Sequence, residues 1–136
     1  MPEPLVDKTE ELRRLVEYFP LYRPGESVFV CRDETNFYVH YGCYKHEDNL
    51  SNFDLQITGD TCFILTFNIP SEERRRGNGR SLYNVIERFC TDSFNTTRFR
   101  TTPSGFSKQP NPSDGKCFWE KMGFSYINGV EVEKIL

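Results

Sequence analysis

Hydrophobic positions change period along this 136-residue chain. Leu12, Leu15, Val16 and Phe19 recur three or four residues apart until Pro20 stops the run, and Asp7 with Glu10 has the form of a capping box. That pattern predicts an amphipathic helix over Asp7–Phe19. Beyond the Pro24-Gly25 turn, Val28-Phe29-Val30-Cys31 is apolar on both faces, and Phe37, Val39, Tyr41 and Cys43 alternate with other residues. Two antiparallel strands joined at Asp33-Glu34 are expected. After a polar loop, Lys45–Ser51, the alternation returns in Phe53, Leu55 and Ile57, followed by a Gly59-Asp60 turn and an apolar strand from Thr61 to Ile69. Leu82, Val85, Ile86 and Phe89 then return to helical spacing, which predicts a second helix over Gly77–Asp92.

Thr96–Thr102 reads as a fifth strand. A helix separates it from the fourth, so these two should run parallel. A proline- and glycine-rich loop leads to a short helix around Lys116–Met122, and Asn128-Gly129 joins two last strands. This order specifies one α/β (α+β) domain over residues 1–136, a mixed sheet of about six to seven strands with flanking helices and a ligand cleft where strands four and five part.

Composition supports a single core, with 37% hydrophobic residues, 12 Phe and 7 Tyr. Five scattered cysteines without a C-x-x-C pair argue against a disulfide framework. No run approaches the ~20 apolar residues of a membrane span, and the first residues lack a leader pattern, so a soluble cytoplasmic protein is expected, with a homodimer left open. The net charge of −3 hides an asymmetry: residues 1–73 hold 6 Lys/Arg against 14 Asp/Glu, whereas residues 74–121 hold 10 against 4. The basic part suits an anionic ligand and the acidic remainder a cationic amine.

The basic part centres on the turn between the fourth strand and the second helix. Gly77 and Gly79 remove side chains there, so backbone N–H groups of about Arg75 to Arg80 can converge on one anion, aided by the helix dipole and by Arg74, Arg75, Arg76 and Arg80. A diphosphate-bearing ligand follows. Arg74-Arg75-Arg76-Gly77-Asn78-Gly79 fits R/Q-x-x-G-x-G/A, the pyrophosphate-binding motif of the GCN5-related N-acetyltransferase (GNAT) superfamily, and Phe118-Trp119-Glu120-Lys121-Met122-Gly123-Phe124 resembles that family's second signature. The resemblance covers residues 61–127 well. No segment ahead of the first helix reads as the strand the family usually has there.

The resemblance implies acetyl-CoA as acyl donor. Arg74, Gly77 and Gly79 occupy the matched motif positions, Asn78 contributes backbone, and Phe67, Asn68 and Ile69 take the place where members hold pantetheine and the thioester through the backbone between splayed strands four and five. It also exposes two departures. Trp119 stands where many members have the Tyr that protonates the departing thiolate; indole N–H lacks that acidity, so Trp119 is expected to shape the cofactor cleft, with water, Tyr126, Cys117 or Ser113 as substitute acids. Members often carry a Glu base on the fourth strand, yet Thr61–Ile69 has no carboxylate. Glu72, Glu73 and Asp54 are the nearest acids, and His40 has a suitable ordinary pKa.

His40, Cys43 and His46 do not make a zinc site, because residues 40 and 43 face opposite ways on a strand and only three ligands are present. RNA binding by the Arg74–Arg80 loop is the minor alternative, against which stand the acidic overall charge and the lack of interleaved aromatics. The expectation is transfer of an acetyl group from acetyl-CoA to a primary amine by direct attack in a ternary complex, without metal. The second expectation is a coenzyme-A-binding partner protein with weak or no catalysis.

Overall fold

The computed structural model describes residues 2–42 and 50–136. Within them lie strands β1 (Glu3–Pro4), β2 (Ser27–Asp33), β3 (Asn36–Gly42), β4 (Asn52–Thr58), β5 (Thr61–Asn68), β6 (Arg98–Thr101), β7 (Ser125–Tyr126) and β8 (Val132–Ile135). The helices are α1 (Val6–Val16), α2 (Asn78–Phe94) and the single turn α3 (Phe118–Lys121). All eight strands join one mixed sheet in the order β1-β2-β3-β4-β5-β6-β8-β7.

The meander β2 to β5 is antiparallel, and its in-register pairs put Val30, Val39, Leu55 and Ile64 on one face. That face forms the core with Leu12 and Val16 of α1 and Leu82, Tyr83, Ile86, Phe89 and Cys90 of α2. Fully burying an aliphatic or aromatic side chain of this size contributes ~1.5–3 kcal/mol, which is why the period along the chain selects the fold. On α2 the inward face is turned slightly from the expected one: Tyr83 is 1% exposed, while Val85 packs only at the margin of the core.

Three expectations are corrected. The strand missing ahead of the first helix exists as β1, which pairs Glu3 with Arg32 and Pro4 with Cys31 on β2 and adds an Arg32–Glu3 ion pair. Two residues ending in proline carry too little alternation to be read as a strand; pairing with β2 makes them one. The expected Asp7 capping box is absent, because α1 starts one residue earlier with Leu5 as its cap, and Asp7 sits within the first turn. Leu5 N–H donates to the Val30 carbonyl, so β2 sets where that helix begins. Finally, α1 ends at Val16, and Tyr18 and Phe19 close tighter i→i+3 turns before Pro20.

The sheet parts between β5 and β6, the strands expected as fourth and fifth. They pair in parallel only from Thr61↔Arg98 to Ile64↔Thr101, with Thr101 Oγ1 donating to the Ile64 carbonyl at 2.9 Å. β5 continues to Asn68 along β4 alone, after a bulge that sets Asp54 opposite Thr66 and Leu55 opposite Ile64. β6 stops just before Pro103, which has no N–H to extend the ladder. Cys43 and the Lys45–Asn49 part of the expected loop lie outside the described residues.

Candidate functional site

Past the split, the chain turns sharply. Ile69 is fully buried, Ser71–Glu73 form one 3-10 turn, and Arg75 (φ 64°) and Gly77 (φ 83°) adopt left-handed conformations that swing the chain into α2. Gly77 caps the helix without any side-chain cap, and the first helical bond runs from Ser81 N–H to the Gly77 carbonyl at 3.0 Å. The N–H groups of Asn78, Gly79 and Arg80 therefore have no acceptor within the helix. A Cβ built on Gly77 would meet nothing within 4 Å, so the space before this turn is open. At Gly79 a Cβ would stand 2.7 Å from Phe118 Cε1, because Phe118 of α3 lies directly on the first turn of α2.

A cavity of about 320 Å³ faces the turn, lined by Ile69, Arg74, Arg75, Gly77, Gly79, Arg80, Phe106, Gln109, Asn111, Lys116, Phe118, Lys121 and Met122. Among the described residues, five cations and no carboxylate border it, with apolar surface from the two Phe, Ile69 and Met122. Arg74 is held in place: its Nε donates to the Ile69 carbonyl at 2.9 Å and its guanidinium carbon stands 4.3 Å over the Phe106 ring. Arg74 thus builds the wall, while Arg75 and Arg80 are exposed and available to an anion.

Other expected cofactor residues do not line this cavity. Arg76 pairs with Glu73 at 3.7 Å, and the Asn78 amide donates to the Glu73 carbonyl at 3.0 Å. The Asn68 amide donates to the Leu50 carbonyl at 2.6 Å, and the Phe67 ring packs against Phe118 and Trp119. Trp119, expected to shape the cleft, is 1% exposed and touches Phe67, Tyr83, Phe118 and Phe124 edge-on. On a one-turn helix the larger ring turned inward, where its burial contributes most, and Phe118 became the cavity wall. Lys116, Lys121 and Phe106 were not singled out from sequence; the positive balance of residues 74–121 is the signal that pointed to the two lysines.

A second cavity of about 310 Å³ lies on the other side of Ile69-Pro70, lined by Pro20, Leu21, Tyr22, Arg23, Glu26, Leu50, Ser51, Pro70, Glu72 and Glu73. Among the described residues, three carboxylates here face one guanidinium. Glu72 and Glu73, the expected bases, are brought together with Glu26, which the sequence did not flag because it comes from the distant α1–β2 connection. Glu26 Oε1 accepts from the Tyr41 hydroxyl at 2.9 Å and from the Arg23 N–H. Burial, reinforced by the charge of Glu26, holds the Tyr41 phenol far above its ordinary pKa, so it stays a donor.

The remaining candidates stand apart from both cavities. Tyr126 is 45% exposed on β7, with its hydroxyl 4.0 Å from Cys117 Sγ, and its pKa is raised by desolvation and by that sulfur. Cys117 is buried as the cap of α3, where its N–H donates to Glu120 Oε1 at 3.1 Å. Ser113 is exposed and bonded to Asn111 Oδ1. His40 Nδ1 lies 2.6 Å from Asp54 Oδ1, whose other oxygen accepts from Thr66 Oγ1 at 2.6 Å, so these two residues form a cross-strand group. Cys43 and His46 of the rejected zinc set lie outside the described residues. Among those residues no helix is long and apolar enough to cross a membrane.

No protein-family model matches the chain, and no curated protein matches it. Solved structures do. An acetyltransferase from Bacillus cereus ATCC 14579 superposes with a TM-score of 0.56 at 16% identity, over 96% of this chain and 92% of that one. This chain has the acetyltransferase fold. Arabidopsis thaliana Naa50, solved in complex with a bisubstrate analogue CoA-Ac-MVNAL, aligns over 100% of this chain and 98% of its own at 18% identity and a TM-score of 0.41. The mixed sheet, the parallel β5–β6 pair and the flanking helices are those of the acyl-CoA N-acyltransferase-like architecture.

Proposed function

We propose that this protein is a GNAT-superfamily enzyme that transfers an acetyl group from acetyl-CoA to a primary amine by direct attack in a ternary complex. The observation that carries the reading is the uncapped start of α2, with an open approach at Gly77, beside a cavity bordered by five cations and no carboxylate. That arrangement fits a diphosphate. Three backbone N–H groups and the positive end of the helix dipole face the same space, the exposed Arg75, Arg80 and Lys116 supply counter-charge, and Lys121, which also meets Asp114 at 3.8 Å, adds a further cation. Phe106, Phe118 and Met122 offer apolar surface to the rest of the cofactor. The backbone of β5 beyond Ile64, released from β6, offers N–H and C=O groups to an amide-bearing chain laid along it.

The enzyme's contribution is chiefly positioning. Glu72 and Glu73, on the rim of the second cavity, are placed to accept a proton from an incoming ammonium directly or through water. A thiolate leaves without prior protonation, so the buried Trp119 and the remote Tyr126 are no obstacle. An acyl-cysteine route has little support: Cys117 is 2% exposed, and no His among the described residues is bonded to it.

The test is thiol release from acetyl-CoA by the pure protein across a panel of primary amines. Turnover that needs both protein and amine supports the reading. Tight coenzyme A binding without turnover of any amine leaves a binding protein, and RNA affinity that acetyl-CoA does not displace would replace both readings.

A further inference from the structure

Two cavities of opposite charge meet the chain at consecutive residues, the basic one at Ile69 and the acidic one at Pro70, and only the basic one is accounted for by an anionic cofactor. We propose that the acidic cavity is the acceptor site and that it selects small amines carrying a second cationic nitrogen, a diamine or a linear polyamine. The proposal rests on the acetyltransferase reading above and names the substrate class that reading leaves open.

The cavity is built to hold a cation at a fixed point. Both donors that reach Glu26, the Tyr41 hydroxyl and the Arg23 N–H, meet the same oxygen, Oε1, which orients the carboxylate and leaves Oε2 to a ligand. Tyr41 is itself fully buried, so the anchor sits on the core and not on a mobile loop. Glu72 makes no ion pair among the described residues, and Glu73 meets only Arg76, at 3.7 Å. A separate observation points the same way: Ser51, which lines the cavity, is 3% exposed, and its buried Oγ has no hydrogen-bond partner among the described residues. A buried hydroxyl of this kind costs ~1–3 kcal/mol until something bonds to it, and an ammonium N–H is a suitable donor.

Volume and charge then narrow the ligand. About 310 Å³ is at the small end of ligand pockets and suits a short flexible molecule. One ammonium must lose its proton to react, so a monoamine would leave Glu26, Glu72 and Glu73 with Arg23 as the one cation lining the cavity among the described residues. A second ammonium that keeps its charge pairs with Glu26 while the first faces the Ile69-Pro70 end. Discrimination by that pairing depends on salt, because the site is open to solvent.

The experiment compares 1-aminobutane, 1,4-diaminobutane and spermidine as acceptors for the full-length protein, together with calorimetric titration of each into protein saturated with coenzyme A. The expected result is a kcat/KM and an affinity at least tenfold in favour of the di- and triamine, narrowing as salt is raised. Glu26→Gln, whose amide oxygen still accepts from Tyr41, should raise the diamine KM at least tenfold, raise that of 1-aminobutane less than threefold, and leave coenzyme A affinity unchanged. Ser51→Ala, which removes the buried hydroxyl from the cavity wall, should lower the preference by a smaller factor and guards against a folding defect in the first variant. Coenzyme A binding with no preference for the second charge, or a preference untouched by both variants, overturns the acceptor class and leaves the acetyltransferase reading standing. Absence of coenzyme A binding overturns both.

Discussion

The two cavities flanking Ile69-Pro70 have nearly equal volumes, about 320 and 310 Å³, and opposite chemistry. The basic one is made by local sequence: its turn, its glycines and three of its five cations fall within Arg74–Arg80. The acidic one is assembled from the α1–β2 connection, the start of β4 and the turn after β5, segments tens of residues apart. They also differ in what supports them. Phe118, a wall of the first, rests on the fully buried aromatic cluster of Trp119, Tyr83 and Phe124, whereas the second is lined mostly by exposed or half-buried side chains, with Ser51 and Pro70 buried and Tyr41 as the anchor beneath. Substitutions near the first should therefore couple binding to stability, and substitutions around the second should change ligand preference with little effect on folding.

The largest effect should come from Trp119→Ala, which empties the centre of the aromatic cluster and should cost ~3–5 kcal/mol in denaturant unfolding. A loss below ~1 kcal/mol would show that the wall of the first cavity is not part of the core. Next, Gly79→Ala should cost ~1–3 kcal/mol and weaken coenzyme A binding, since its methyl group must displace Phe118 from the start of α2.

Gly77→Asp separates binding from folding. A Cβ there has open space, Asp tolerates left-handed backbone, and the new carboxylate would stand before the uncapped N–H groups. Calorimetry should show coenzyme A affinity reduced at least about tenfold in a folded protein, with binding of 1,4-diaminobutane unchanged. Unchanged coenzyme A affinity would remove the diphosphate from this turn. Arg75→Ala and Arg80→Ala should each weaken coenzyme A about threefold to tenfold, more at low salt, because both side chains are exposed and screened. The smallest effect is expected for Glu72→Gln on stability, within ~0.5 kcal/mol by thermal or chemical unfolding. A large loss there would mean that the acidic cavity is a folding element.

Most of the elements were legible because their signals are local. Period-two runs became β3 and β4, a continuous apolar run became β5, the helical spacing of Leu82, Ile86 and Phe89 became α2, and the parallel β5–β6 pair followed from the helix between them. Misreadings clustered where a tertiary partner decided the outcome. β1 exists because β2 offers an edge, α1 starts at Val6 because Leu5 is bonded to Val30, and Trp119 faces inward because four aromatic rings surround its place. The contacts of the arginines were equally out of reach: Arg74 and Arg76 were both expected to serve an anion, yet one braces Ile69 and Phe106 and the other pairs with Glu73.

What the sequence determined by itself is the order of the strands and helices from α1 onward and the glycine turn at Gly77, since backbone conformation, glycine placement and the period of apolar residues are properties of a few neighbouring residues. What only the tertiary structure decided is the company each charged group keeps. Glu26 lies 46 positions before Glu72 in the chain. The two line one cavity only because the connection after α1 and the turn after β5 are brought to the same end of the sheet. Electrostatic character depends on such distances in space, and the spacing of residues along the chain does not encode them.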